Sequence, residues 1–244
     1  MTWAAESLHC VLFSQVSPGI PDALQPWLRT FGGNPQSFQQ LPTQGGGGAH
    51  ATGTVGNYQG TIVAQAGRLE LILSSSSQSA NAPPVIDDIR SAVTSLHHYI
   101  PQFAAGETPI RVAMLVNLSK RVVDETMAAR EFGRETHLND LPPGSRDLTF
   151  ALNIPRPSPI QGVDINRICK WSTGVQQMLQ FQIGVGGAAP GLVTQSFVVI
   201  SLHLDLNTTP RQNPFTAQQT LQLCDHLVDE SRALIVDAHG HLVS

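Results

Sequence analysis

Apolar and polar positions alternate with period two over much of this chain, and period-three-and-four stripes interrupt them. Leu8, Cys10 and Leu12 alternate with His9, Val11 and Phe13, apolar on both sides, as in a buried strand. Pro18-Gly19 ends that strand. Leu24, Trp27, Leu28 and Phe31 follow at helical spacing; Pro26 keeps the helix short, and Gly32-Gly33 stops it. Residues 34–53 read as a Gln- and Gly-rich loop, in which Gly45, Gly46, Gly47 and Gly48 predict mobility. Residues 54–64 and 68–74 read as a hairpin around Ala66-Gly67. Beyond a serine run and Pro83-Pro84, Ile86, Ile89, Val93, Leu96 and Ile100 form one stripe of an amphipathic helix, closed by Pro101.

The second half repeats this order with longer strands. Val112, Met114, Val116 and Leu118 face one way, against Arg111, Ala113, Leu115 and Asn117. A short helix is predicted over residues 124–132, and Leu148, Phe150, Leu152 and Ile154 then alternate as a strand broken by Pro155, Pro157 and Pro159. Residues 165–183 and 193–207 are the longest extended segments, joined by the glycine-rich stretch 184–191. Leu221, Cys224, Val228 and Ile235 mark a closing amphipathic helix, with Thr216 as N-cap and Gly240 as stop.

The expected fold is therefore α+β, built as two tandem related units. Each places an antiparallel sheet against an amphipathic helix. The first spans residues 1–106; the second, residues 107–244, carries a long hairpin that projects beyond the core. The two are expected to pack as one compact body, and such a hairpin suits docking better than chemistry.

Composition narrows the classes. Hydrophobic residues make up 41% of the 244 and charged residues 13%, with a net charge of −4. Globular proteins carry about 25% charged residues, so this surface resists association weakly. The cations are scattered, so no basic stripe points to nucleic acid. Cys10, Cys169 and Cys224 are too few and too widely spaced for a disulfide framework or a metal site, and they read as buried thiols. No signal peptide and no membrane-length apolar run is apparent, which predicts a cytoplasmic location.

The strand Ile110-Arg111-Val112-Ala113-Met114-Leu115-Val116-Asn117-Leu118, the stretch Asp164-Ile165-Asn166-Arg167, the segment Leu204-Asp205-Leu206 and the helix stretch Leu223-Cys224-Asp225-His226-Leu227 together resemble a family of uncharacterised, sporadically distributed bacterial proteins of similar length. The resemblance is strongest in the second half. It rests on packing patterns and implies no particular activity, cofactor or site residue.

Candidate chemistry is sparse. His50-Ala51-Thr52 fits the His-x-Thr element of two-lobed phosphoesterases, where an imidazole moves a proton beside a hydroxyl; the matching second element is lacking, since His203-Leu204-Asp205 has no hydroxyl. The tail Asp237-Ala238-His239-Gly240-His241 reads as frayed and polar rather than as metal ligands. Residues 184–191 lack the Lys-Ser/Thr ending of a phosphate loop, and no Gly-x-Ser-x-Gly elbow occurs. His9 and Cys10 are neighbours on a strand and point to opposite faces.

Arg167, Lys170 and Trp171 form the one compact cationic and aromatic cluster, of the residue types favoured in binding. Arg111, Asn117, Arg167 and His203 are the polar residues expected to face inward between the units. The first expectation is a non-enzymatic protein-binding module or assembly subunit of a bacterial or phage system, acting through a protein partner or self-association. The alternative is a small-ligand or nucleotide-binding protein, a phosphoesterase among its forms, with its site between the two units. The motifs point away from an enzyme, and no catalytic residue, metal or cofactor is predicted; neither a membrane nor nucleic acid is expected as partner.

Overall fold

A computed structural model of the chain describes residues 2–15, 21–41, 47–77, 83–138, 140–182 and 191–243. The strands are β1 (Ala4–Phe13), β2 (Ser37–Leu41), β3 (Gly48–Val55), β4 (Tyr58–Gln65), β5 (Arg68–Ser75), β6 (Arg111–Val122), β7 (Thr149–Asn153), β8 (Arg156–Pro157), β9 (Asp164–Gln182) and β10 (Gly191–Thr208). The helices are α1 (Leu24–Phe31), α2 (Ile89–Phe103), α3 (Glu125–Thr136), α4 (Ala217–Val236) and α5 (Ala238–Val243). The described residues thus form an α+β protein with one large antiparallel sheet, ordered β2-β3-β4-β5-β1-β6-β10-β9-β7, with β8 also on β9. The leading strand of each half lies mid-sheet, and β1 pairs directly with β6.

Strand register divides the side chains into two faces. On one face Leu8, Cys10 and Leu12 lie opposite Leu73, Leu71 and Leu69 on one side. On their other side stand Val116, Met114 and Val112. The row continues through Leu202, Leu204 and Leu206 to Trp171, Cys169 and Arg167. The helices cover this face, and their stripes Ala92, Val93, Leu96, Leu223, Leu227 and Val228 complete a single core with it. Side chains left exposed here would forfeit about 1.5–3 kcal/mol each, which decides the sheet's covered side.

Helix starts are well set. Asp88 accepts from Ser91 N–H at α2, and Asp124 accepts from Met127 N–H at α3. At α4, Thr216 and Gln219 form a reciprocal capping box.

Several expectations change. The loop expected over residues 34–53 contains β2 and the start of β3, and the hairpin expected over residues 54–74 turns additionally at Gly56-Asn57. The physical reason lies in β3, whose buried positions before Val55 are Gly48, Ala49, Ala51 and Gly53. They are small because α1 lies on them: a Cβ at Gly53 would stand 3.0 Å from the Trp27 ring. Small buried residues give a weak apolar rhythm. Gly45, Gly46 and residues 184–190 of the expected hairpin tip lie outside the described residues. Pro101 sits inside α2 rather than closing it, in the last turn, where it cannot donate to the carbonyl of His97 four residues back. The tail expected to fray forms α5, held by Arg167, whose guanidinium donates to the carbonyl oxygens of His241 and Leu242 at 3.4 and 3.2 Å.

Candidate functional site

The parity of β9 separates the six residues expected to form a site. Arg167 and Trp171 point into the helix-covered core, each 0% exposed. Arg167 is bonded to Ile154 O, to Glu230 Oε2 and to α5, so its donors are engaged in tying β9 to the helices. Trp171 packs against Phe150 with ring centroids 5.8 Å apart, and its indole N–H is buried without a partner. Lys170, between them, is exposed on the opposite face. Asn117, His203 and Lys170 stand in one cross-strand row on that face. Arg111 shares the face but lies six residues along β6 from Asn117, about 20 Å at 3.3 Å per residue.

The opposite face carries no helix among the described residues, yet its side chains are highly organised. Glu70 Oε1 lies 2.7 Å from His9 Nδ1, and His9 Nε2 lies 2.7 Å from Ser7 Oγ. Asn117 Nδ2 donates to the same Ser7 Oγ at 2.9 Å, and Asn117 Oδ1 lies 2.6 Å from His203 Nδ1. Arg68 closes the far end on Glu70 Oε2 at 2.7 Å. One hydrogen-bonded line thus runs Arg68–Glu70–His9–Ser7–Asn117–His203 across β5, β1, β6 and β10.

The donors and acceptors assign themselves. Glu70 accepts only, so His9 Nδ1 donates to it; in the neutral form of the ring, His9 Nε2 accepts from the Ser7 hydroxyl. Ser7 accepts in turn from the Asn117 amide, and His203 donates from Nδ1 to Asn117 Oδ1. Burial raises the Glu70 pKa, but the hydrogen bonds and charges of His9 and Arg68 outweigh it and hold the carboxyl below its ordinary value. His203 is held below the ordinary imidazole value, mainly by burial; Asp205 opposes the shift, while His9 and Lys170 add to it.

A second polar line lies beside the first. Asn207 donates to Asp205 at 2.8 Å, Asn166 donates to Asn207 at 3.0 Å, and Asn153 donates to Asn166 at 3.4 Å. At the end of the face the Arg68 and Arg111 guanidinium carbons stand 5.7 and 5.2 Å from the Phe13 ring centroid, a paired cation–π contact. The face is concave. Gln176 on β9 donates to Glu6, the extra residue of a bulge in β1 between Ala5 and Ser7. A flat sheet would separate β1 from β9 by about 14 Å, so the bond requires the sheet to curl toward this side.

Past this trough β9 and β10 run on together. Among the described residues, 174–182 pair only with β10 and 191–197 only with β9. Val175 and Leu179 are 51% and 64% exposed there. No Asp, Glu, Lys or Arg occurs anywhere in residues 171–202. The outer edge on the other flank is protected differently, by Pro155, Pro157 and Pro159 next to β7.

Other features lie apart. A cavity of about 540 Å³ opens between α3 and the loop after it, lined by Arg130, Arg134, Arg146, Leu141 and Pro142; it belongs to the second half and touches none of the six expected residues. His50 is on β3, five strand positions from His203, or about 24 Å across a flat sheet, so the two imidazoles do not converge. No group of three or more His, Cys, Asp or Glu is placed to hold a metal ion among the described residues. No helix there is long and apolar enough to cross a membrane.

Sequence reasoning paired His9 with Cys10 and so missed Ser7, His9, Arg68 and Glu70. The available signal was the i, i+2 spacing of Ser7 with His9 and of Arg68 with Glu70, which sets polar pairs on one face of strands whose other face is apolar. Comparison with protein-family models, curated proteins and solved structures finds no match.

Proposed function

We propose that the chain is a protein-binding module, an assembly subunit of a bacterial or phage system, and that the β9–β10 ribbon is its docking element. The carrying observation is that, among the described residues, 174–182 and 191–197 leave both outer edges of a two-stranded ribbon without a neighbouring strand, in a stretch free of charge. Unpaired main-chain N–H and C=O groups along such an edge accept an added strand, and the partner's backbone supplies the bonds. Natural edges of this kind are guarded by charge or proline; this one carries neither among its described residues, so a partner strand or a second copy covers it.

The two halves are read as related units. Each runs strand, helix, strands, closing helix, and in each the first strand pairs with the last: β1 with β5 and β6 with β10. The cytoplasm is the proposed location.

The test is association. Light scattering over a range of concentrations, together with pull-down from the source cells, compares the wild type with Val175→Lys/Leu179→Lys. Self-association or a recovered partner that the double variant loses supports the reading. A concentration-independent monomer with no ribbon-dependent partner overturns it.

One observation favours a second reading, a small-ligand protein with its site between the halves: the row Ser7–Asn117–His203 crosses the β1–β6 junction. Thermal-shift screening with nucleotides and phosphorylated metabolites tests it. A ligand at a hundred times its Kd adds about 2.7 kcal/mol.

A further inference from the structure

We infer that Ser7, His9 and Glu70 form a nucleophile–base–carboxylate set on the concave sheet face, able to transfer an acyl group from a small carboxylic ester to Ser7 and then to water. The inference deepens the small-ligand reading by naming the ligand class and its chemistry.

The geometry carries it. A serine is a weak nucleophile unless a base beside it takes its proton, and that base needs a third group to hold the correct ring nitrogen toward it. Here His9 Nε2 is 2.7 Å from Ser7 Oγ, and His9 Nδ1 is 2.7 Å from Glu70 Oε1. Arg68 fixes the other carboxylate oxygen at 2.7 Å. The three functional groups lie on two adjacent strands, so the rigid ladder between β1 and β5 sets their spacing rather than a loop. The side chains of His9 and Glu70 are 17% and 8% exposed, so the pair is shielded while the ring remains reachable. Ser7 is half-buried and lies directly after the β1 bulge, a feature that re-aims side chains.

The reaction balances with these groups alone. The Ser7 oxygen forms a bond to the ester carbonyl carbon as its proton passes to His9 Nε2. The carbonyl pair moves onto oxygen, beside the Asn117 amide that donates to Ser7 Oγ at 2.9 Å in the resting protein. Collapse breaks the bond to the leaving alcohol, which takes the proton from His9. Water then attacks the acyl-serine, again giving its proton to His9, and a carboxylic acid leaves as Ser7 regains its proton. Glu70 stays ionised throughout and acts as a positioning residue. Ile72 and Leu115 flank His9 in its cross-strand row. These two side chains suit a short acyl chain or an aromatic leaving group.

The probes are a fluorophosphonate, which bonds only to activated serines, and p-nitrophenyl acetate, both with the full chain. The expected result is one fluorophosphonate adduct mapped to Ser7 and turnover of the acetate ester. Both fall by about 10²–10⁴-fold in Ser7→Ala and His9→Gln, whereas Ser74→Ala, in the neighbouring strand, keeps them. Glu70→Gln lowers the labelling rate and moves its pH profile, a readout that a purely structural carboxylate leaves in place. The charged and titratable groups facing His9 are Glu70 and Arg68 on β5, Glu6 on β1, and His203 and Asp205 on β10, with Lys170 beyond on β9. Absence of an adduct at Ser7 in the wild type, or labelling undiminished in a folded His9→Gln, overturns the inference. The wild-type map is decisive even if a variant fails to fold. A thermal shift without an adduct leaves ligand binding standing and sinks only the chemistry.

Discussion

Arg167 and Lys170 stand three positions apart on β9, both cationic, and differ in face and burial. Arg167 is sealed under α4 and α5, and its donors serve a carboxylate and three carbonyls. Lys170 stands in solvent on the trough side, in the row of His203 and Asn117. The same contrast runs along the sheet. On the covered side polar groups are few, buried and engaged in holding helices, as with Lys120, which bonds Glu131 and Glu135 at 3.2 and 2.8 Å. On the open side polar groups bond to one another in lines, with no helix above them among the described residues. Polarity on the covered side is therefore mainly architectural, and polarity on the open side is the part available for binding or chemistry.

The sharpest test of that division is Trp171→Ala. It removes a fully buried ring and is expected to cost about 3–5 kcal/mol in urea unfolding, without changing contacts on the open face. Arg167→Ala leaves the last carbonyls of α5 without their donor and Glu230 with His241 in place of the guanidinium. A broken buried pair costs about 3–5 kcal/mol; Glu230 is partly exposed, so the lower end of that range is expected, together with faster amide exchange in α5. On the open side, Asn117→Leu breaks the line at its centre, and about 1–3 kcal/mol is expected from the groups left unpaired. A loss on the open side equal to that of Trp171→Ala would show that the trough is architecture too.

Acid acts on both faces in sequence. Because burial holds His203 below the ordinary imidazole value, the unfolded chain takes up a proton that the folded chain refuses. Stability from this group is complete above about pH 6.5 and declines as pH falls below it. Glu70 on the open face and Glu135 on the covered face follow. Burial raises both carboxyls, but their cationic partners prevail and hold them low. Their contribution is present above about pH 4.3 and is lost as pH falls through their folded values. Melting temperatures from about pH 7.5 down to about pH 2 should show both steps, and His203→Asn should remove only the first. Smallest in stability is Val175→Lys/Leu179→Lys: these side chains are exposed, so unfolding should move by no more than about 0.5 kcal/mol, while association is lost.

Legibility in the sequence followed side-chain size and parity. The leucine-rich strands and the stripes of α2 and α4 were plain because large apolar residues repeat there at one spacing. β3 was hidden because its buried positions up to Gly53 are Ala and Gly, and at Gly53 the Trp27 ring leaves little room for a Cβ. Arg111, Asn117 and His203 were expected on one face because alternation along each strand is local. Arg167 was grouped with them, and Lys170 with Arg167 and Trp171, because proximity in sequence conceals a face; the line from Ser7 to Glu70 was missed because His9 and Glu70 are 61 positions apart.

Period and propensity alone determined that this chain makes alternating strands, amphipathic helices and a long uncharged ribbon, since each depends on neighbours within a few residues. Which strands meet was decided only in three dimensions. The pairing of β1 with both β5 and β6 placed Glu70, His9, Ser7, Asn117 and His203 in hydrogen-bonding line. Such contacts arise from cross-strand register, a relation between distant segments that the local order of residues does not encode.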